Sequence, residues 1–371
     1  MIHSFKTCSY TLILLLIASA CSVDYQNKAV GPVDEIIVVM PSSQWESETA
    51  DAIRETFGRL LQTVPHPHEP AYTFVFRDFE SNQELDELKR FRNIIIAAPL
   101  DKQTNTSQLI GGMLSSKVGQ RVNQQESFAF PLQDRWARGQ WTLILTSTSD
   151  ERLAEKIRNS SDELLSHLEE REINYRTEEV FRRGEQVALA DSLWKNHGWS
   201  VRMQHDYVQL FDSAKSVMFR RYLPDNNRWM WAWWKEDVEH GDFINPKWIN
   251  STRDSLMQFL VQGERDGSYV ETDYRESVET KEFSTGNRLT GYETMGVWRM
   301  TNDFMGGPFV HFTFYDSETR RVFMLEYAQF APRVNKRRFV RQFQAMGRTF
   351  TSDSTWGKLN SEVAFTQLYY H

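Results

Sequence analysis

Cysteine is nearly absent from this 371-residue chain, and the two that occur, Cys8 and Cys21, both lie at its N-terminal end. The rest of the chain therefore has no intrachain disulfide and no CxxC metal or redox motif. The HExxH, GxSxG, Walker and GxGxxG patterns are missing as well. Because these signatures are missing, the sequence indicates no reaction class, and we expect no bound cofactor.

An excess of basic residues is also missing. The chain has 43 Lys and Arg against 50 Asp and Glu, which gives a formal net charge of −7. A mildly acidic protein is not built to coat nucleic acid, so we expect no nucleic-acid partner. Its length and its 40% apolar residues are sufficient for two domains of common size.

The longest apolar run near the N-terminus, from Leu12 to Ala20, has about half of the ~20 residues that a membrane-spanning helix needs. We therefore interpret residues 1–20 as a secretion signal. The small residues before Cys21 resemble a bacterial lipoprotein lipobox, although Ala18 stands where leucine is commoner. That resemblance implies lipid attachment at Cys21 and a membrane-anchored protein. The alternative is an ordinary signal peptide with an A-x-A cleavage site.

The residues after Cys21 are polar and end in Gly-Pro, so we interpret residues 21–32 as a lipidated tether. Bacterial lipoproteins that are exported to the cell surface resemble one another in that they carry a cluster of acidic residues soon after the lipidated cysteine. Here the segment CSVDYQNK offers only Asp24. We therefore expect the protein to face the periplasm from the outer membrane.

Residues 33–180 are predicted to form an N-terminal α/β domain. Apolar, β-branched runs typical of buried strands occur at 34–40, 72–79, 93–99 and 141–147, with helical patterns between and after them. The chain turns polar around 176–198, where we place the domain boundary.

Residues 195–350 show a different pattern, with several strands separated by Asp, Asn, Gly and Pro turns. Helices are predicted near 246–262 and 333–348, and residues 351–371 form a polar tail. The expected fold class is α+β, an α/β sandwich half followed by a mainly antiparallel α+β half.

The body contains a distinctive combination of motifs, which are EIIVVM (35–40), RNIII (92–96), DRWARGQ (134–140), GERDGSYVETD (263–273), GVWRMTNDFMGGPF (296–309) and KRRFVRQ (336–342). In this combination the body resembles an uncharacterised family of envelope lipoproteins from Bacteroidota-type bacteria, the domain of unknown function 4837 family. The resemblance implies a lipid-anchored envelope protein over nearly the whole mature chain. It assigns no activity, so it implies no catalytic residue.

The stretch RWMWAWWKED (228–237) is rich in tryptophan. On a strand, Trp229, Trp231 and Trp233 share one face, where their rings could stack on the sugars of a glycan. The alternative, which we favour, is that the strand is buried on both sides, since its other face is apolar too.

The stretch FMGGPF (304–309) lies between two predicted strands. Glycine can take positive φ and proline gives up a ladder hydrogen bond, so a strand connection is the basic interpretation. The aromatic walls also allow a docking edge, with Met305, Gly306, Gly307 and Pro308 as candidate binding residues alongside the tryptophans.

Carboxylates are the remaining candidates for chemistry. Glu271, Asp273 and Asp303 could supply a pair for acid–base hydrolysis of an envelope polymer such as a glycan or peptidoglycan, with His311 and Glu326 as further candidates. We expect a binding or structural role, with an envelope protein or a glycan as partner, and keep such a hydrolase as the alternative.

Two further patterns have a structural and a functional interpretation. In PHPHEP (65–70), His66 and His68 could bind a metal, but a proline-stiffened connection is favoured and we expect no metal.

The segment 333–348 carries six Lys and Arg and no acid. It is predicted to be an amphipathic helix whose basic side faces solvent or, less favoured, anionic lipid headgroups.

Overall fold

The computed structural model describes residues 26–284 and 289–352. Cys21, the predicted signal peptide and the tail from residue 353 onward lie outside these residues. Within the described chain, no helix has both the length and the apolarity to cross a membrane. The chain divides into two compact units, one from Met1–Glu55 and Tyr72–Asn159, the other from Thr56–Ala71 and Ser160–His371.

The first unit contains a five-stranded mixed sheet in the order β2-β1-β3-β5-β4. Its strands are β1 (Glu35–Val39), β2 (Thr73–Arg77), β3 (Asn93–Ala97), β4 (Ala129–Gln133) and β5 (Trp141–Leu145). Only the β4–β5 pairing is antiparallel among these. The central strands β3 and β5 are buried at every position, as their continuous apolar sequences predict.

The helices that begin in the first unit are α1 (Glu48–Phe57), α2 (Asn82–Leu88), α3 (Asn105–Met113), α4 (Ser116–Asn123) and α5 (Asp150–Asn159). Helices α2 and α3 each begin at a capping box, in which the side chains of Ser81 and Thr104 accept a backbone N–H three residues on. Isoleucines of β1 and β3 pack with Leu85, Leu88 and Ile110 of these two helices. The predicted α/β half is therefore confirmed.

The second unit contains an eight-stranded sheet. Its strands are β6 (Val208–Asp212), β7 (Ser216–Arg221), β8 (Asn227–Lys235), β9 (Val270–Thr272), β10 (Glu279–Ser284), β11 (Thr290–Met300), β12 (Gly306–Asp316) and β13 (Arg321–Phe330). Their order is β10-β11-β12-β13-β8-β7-β6, and β9 pairs with β11. All these pairings are antiparallel, which confirms the expected α+β half.

Both faces of this second sheet are covered. The helices of the unit are α6 (Ser161–Phe181), α7 (Val187–His197), α8 (Pro246–Leu260) and α9 (Arg337–Gly347). One core contains Phe343 and Met346 of α9, and the other contains Ile249 and Met257 of α8. The two covered faces explain why β12 and β13 are buried at almost every position.

The basic residues of helix α9 bind acidic residues of α6, and only part of the predicted solvent-facing side is exposed: Arg337 and Arg341 are buried, whereas Arg338 is exposed. Arg337 forms a two-pronged ion pair with the buried Glu172, at 2.9 and 2.6 Å. Arg341 pairs with Glu169, and further pairs join Arg338 to Glu179 and Arg348 to Glu170. Helix α6 packs along α9, and both helices lie in the second compact unit.

Candidate functional site

The tryptophan strand is part of the core. In β8, Trp229 is 6% exposed and Trp231 is fully buried, and both belong to the core that α8 covers. Trp233 is partly buried against the same core, and Trp234 lies in the core on the opposite face. The glycan-stacking interpretation is therefore wrong for Trp229 and Trp231, and the alternative of burial on both sides accounts for the sequence.

The Gly-Gly-Pro segment begins β12 instead of forming the turn. Gly307 pairs with Trp298 and Pro308 with Val297, while the connecting loop covers residues 301–305. Gly306 and Gly307 are not among the glycines with positive φ, so the predicted reason for glycine is wrong. A Cβ on Gly307 would lie 1.9 Å from the Gln329 carbonyl oxygen, and close approach of two strands is the actual reason.

The same segment offers little surface for docking. Gly307 and Pro308 are buried, and Met305 and Gly306 are partly buried, with Met305 packed against the core. The exposed residues of the loop are Asn302 and Phe304, and Phe304 is one of the two aromatic walls of the segment.

Two of the candidate carboxylates meet in one cleft of about 370 Å³ in the second unit. Residues 271–275 line it together with Asp254 and Arg299. Glu271 and Asp273 belong to this lining, because the chain there leaves β9 at the edge of the sheet. Asp303 does not line the cleft and lies 3.8 Å from Arg265.

Each cleft carboxylate has an arginine partner. Glu271 pairs with Arg299. Asp273 accepts two hydrogen bonds from the Arg275 guanidinium, at 2.7 and 2.6 Å. These hydrogen bonds from Arg275 hold the pKa of Asp273 below its usual value. Both carboxylates are therefore partners in ion pairs.

A buried polar network lies within the core beside α8. Arg253 of α8 binds both carboxylate oxygens of Glu326, at 2.6 and 2.9 Å. His311 lies 3.2 Å from the same carboxylate through Nδ1, and its Nε2 lies 3.1 Å from the Thr313 hydroxyl. Arg253, Glu326 and His311 are all fully buried, so the two sequence candidates His311 and Glu326 do not reach solvent.

The charges of this network follow from its burial. Burial lowers the pKa of His311 in spite of the neighbouring carboxylate, so the imidazole is neutral. Burial alone would raise the pKa of Glu326, but Arg253 and His311 outweigh it and the net pKa is lowered. The network is thus an ionic Arg–Glu pair with a neutral histidine that donates to it.

Asp254 links the buried network to the cleft. Its carboxylate accepts hydrogen bonds from Arg253 at 3.2 Å, from the Thr272 hydroxyl at 2.6 Å and from the Tyr274 hydroxyl at 2.8 Å. Burial and the hydrogen bond to Asp254 raise the pKa of Tyr274 to about 12, so its phenol stays a donor. Sequence reasoning missed Asp254, Tyr274 and both cleft arginines, since nothing in their local pattern distinguishes them.

The histidines of PHPHEP meet a residue from the loop after the cleft. Nε2 of His66 and Nε2 of His68 each lie 3.8 Å from a carboxylate oxygen of Glu276. The three possible ligand atoms lie within 4.8 Å of one another. Sequence reasoning had weighed the two histidines alone, because Glu276 is far along the chain.

Two family models match the chain one after the other. Residues 29–181 match a domain of unknown function, DUF8532, and residues 186–349 match another, DUF4837. The predicted resemblance to the latter family is thus confirmed for residues 186–349, while the first-half motifs fall within the other model. The first family model ends at residue 181 and the second begins at residue 186, whereas the two compact units divide between residues 159 and 160. These positions differ, so the domain boundary stays a prediction.

No curated protein matches the chain. Among solved structures, a point mutant of the protein Mog1 aligns with 43% of this chain and 93% of its own length. The two are 9% identical with a TM-score of 0.28, and we draw nothing from this likeness.

Proposed function

We propose a non-enzymatic binding or structural role in the cell envelope for this chain, whose residues 186–349 match DUF4837, a domain of unknown function. In this proposal Cys21 carries the lipid, and the body lies on the periplasmic side of the outer membrane. The signal-like residues 1–20 and the small residues before Cys21 support the anchor. The scarcity of acid after Cys21 supports the periplasmic orientation.

The main support for a non-enzymatic role is that the cleft carboxylates Glu271 and Asp273 form ion pairs with arginines. A hydrolase needs one carboxyl group that can donate a proton and a second group that is free to act as base or nucleophile. Here Glu271 and Asp273 are held by Arg299 and Arg275, and the hydrogen bonds keep the pKa of Asp273 low. A low pKa suits a charged recognition group and does not suit a general acid.

The cleft is the surface we assign to the partner. It presents both signs of charge within a small area, together with the phenol of Tyr274, which is 60% exposed. Such paired charges beside an exposed aromatic ring match the groups of an envelope glycan or of a protein segment.

A pull-down from envelope membranes tests this role. We expect Tyr274→Ala to reduce recovery of the partner by about 10-fold or more, because a central aromatic contact contributes about 2 kcal/mol to binding. Tyr222→Ala is the matched control, since Tyr222 is 58% exposed and does not line the cleft. Equal recovery by both variants and wild type would remove the cleft from the proposal.

The hydrolase alternative has one observation in its favour, which is that Glu271 and Asp273 line the same cleft. Incubation of the protein with isolated envelope glycan or peptidoglycan separates the two functions. A polymer that is shortened by wild type and left intact by Glu271→Gln would establish the hydrolase and contradict the binding role.

A further inference from the structure

We propose that His66, His68 and Glu276 form a binding site for a divalent transition-metal ion, with Zn²⁺ as the best match. The site lies within the second unit, between segment Thr56–Ala71 and the loop that follows the cleft. This inference is independent of the role proposed for the cleft. It reverses the expectation of no metal, which rested on two histidines without a third ligand.

His68 is oriented as a metal ligand. Its Nδ1 donates a hydrogen bond to the Val64 carbonyl oxygen at 2.9 Å, which fixes the tautomer and leaves the Nε2 lone pair free. That Nε2 atom points toward Glu276, 3.8 Å away. The His68 side chain is only 9% exposed, so this orientation is held by the surrounding structure.

The spacing of the three groups fits an ion better than direct contact. A distance of 3.8 Å between nitrogen and oxygen is longer than a hydrogen bond, so the histidines approach Glu276 without bonding to it. Ligand atoms around a tetrahedral zinc ion, with bonds of about 2.0–2.1 Å, lie about 3.3 Å apart. Small movements of the His66 and Glu276 side chains, which are 70% and 20% exposed, bring the cluster to that spacing.

Both sides of the site are supported by the fold. Next to His68, the Glu69 carboxylate accepts the backbone N–H groups of Lys336 and Arg337 at the start of α9, at 2.6 and 3.0 Å. The backbone N–H of Glu276 donates to the Asp273 carbonyl oxygen at 3.0 Å. Ligands on supported segments lose little conformational freedom when the ion binds.

The donor set selects the kind of ion. Two imidazoles and one carboxylate suit zinc and other first-row transition metals, whereas Mg²⁺ and Ca²⁺ prefer oxygen ligands throughout. Three protein ligands and an exposed His66 leave a fourth position for water.

Metal titration of the detergent-solubilised full chain, without a histidine tag and after chelator treatment, tests the site. We expect one Zn²⁺ per chain by calorimetry and a rise in melting temperature, and neither effect with Mg²⁺. His68→Ala and Glu276→Gln should each weaken Zn²⁺ binding by more than the ~10–100-fold that loss of an outer-shell partner costs.

Two controls keep the result specific. His240→Ala removes an exposed histidine outside the cluster and should leave Zn²⁺ binding unchanged. Bound Co²⁺ should give the visible absorption of a four-coordinate ion in wild type and in His240→Ala, and lose it in Glu276→Gln. Absence of zinc binding by wild type, or unchanged binding by both ligand variants, would overturn the proposal.

Discussion

At the scale of single residues, Gly307 sets how closely β12 approaches β13. The Trp298 indole Nε1 donates to the Gln329 carbonyl oxygen at 3.2 Å, and it does so across the position that a Cβ on Gly307 would occupy. A side chain there would have to displace both the carbonyl and the indole. Gly307 is therefore required by packing and not by backbone conformation.

We predict that Gly307→Ala destabilises the protein by about 1–3 kcal/mol or more, because an added methyl in a packed core forces the backbone to shift. Gly119→Ala is the control, since a Cβ on Gly119 in α4 meets nothing within 4 Å. Replacing a helical glycine by alanine should stabilise by about 0.5–1 kcal/mol. Chemical denaturation measures both changes, and equal stability of Gly307→Ala and wild type would contradict the packing account.

Residue-level prediction from the sequence failed where the reason lay on another strand. Gly-Gly-Pro was interpreted as turn chemistry, because Gln329 cannot be matched to Gly307 without the order of the strands. Likewise His66 and His68 were visible in the sequence, but Glu276 was not. By contrast, the packing of β8 was predictable, since both of its faces are apolar.

At the scale of elements, helices α6 and α9 are joined by ion pairs around Glu172. Burial alone would raise the pKa of Glu172, but Arg337, Arg341 and Arg176 outweigh it and the net pKa is lowered. The sequence predicted α9 as an amphipathic helix, with Phe343 and Met346 on its apolar side. It could not predict the ion pairs, because charge patterns alone do not identify which helix supplies the acids.

We predict that Glu172→Gln costs about 3–5 kcal/mol at neutral pH, because it leaves buried arginines without their counter-charge. Glu170→Gln is the control. Its side chain is 60% exposed and pairs at the surface with Arg348, so its loss should change stability by less than about 1 kcal/mol.

The pH dependence follows from the lowered pKa of Glu172. The unfolded chain binds a proton near the ordinary glutamate pKa of about 4.3, whereas the folded chain does so only at lower pH. The stabilisation is therefore complete above the unfolded pKa and is lost as pH falls through the folded pKa. Chemical denaturation measured between pH 7 and pH 3 should show that acid lowers the free energy of unfolding less in Glu172→Gln than in wild type. If the two proteins lose stability in parallel as the pH falls, Glu172 is not the source of the pH dependence.

At the scale of the whole molecule, lipid attachment at Cys21 should determine where the protein is found. We predict that Cys21→Ser moves it from the detergent phase to the aqueous phase or leaves it unprocessed, since each buried CH₂ of an acyl chain contributes about 0.8 kcal/mol. Cys8→Ser, within the proposed signal, should have no effect. Membrane fractionation measures both, and unchanged detergent partition of Cys21→Ser would contradict lipidation.

The proposed orientation is checked in the same preparation. Protease added to intact cells should leave the wild-type protein undigested, because the outer membrane would shield a body that faces the periplasm. Digestion without lysis would place the body on the cell surface instead.

The route of the chain through the second unit also determines when that unit can fold. Segment Thr56–Ala71 is synthesised before β2. The backbone N–H groups that Glu69 binds, those of Lys336 and Arg337, lie 267 and 268 residues after Glu69 in the sequence. Contacts so distant in sequence form late, because a long loop must close first. If the chain crosses a membrane from its N-terminus, Glu69 stays without its helix until α9 has also crossed. Export of the C-terminal region therefore sets the earliest time at which this unit is complete.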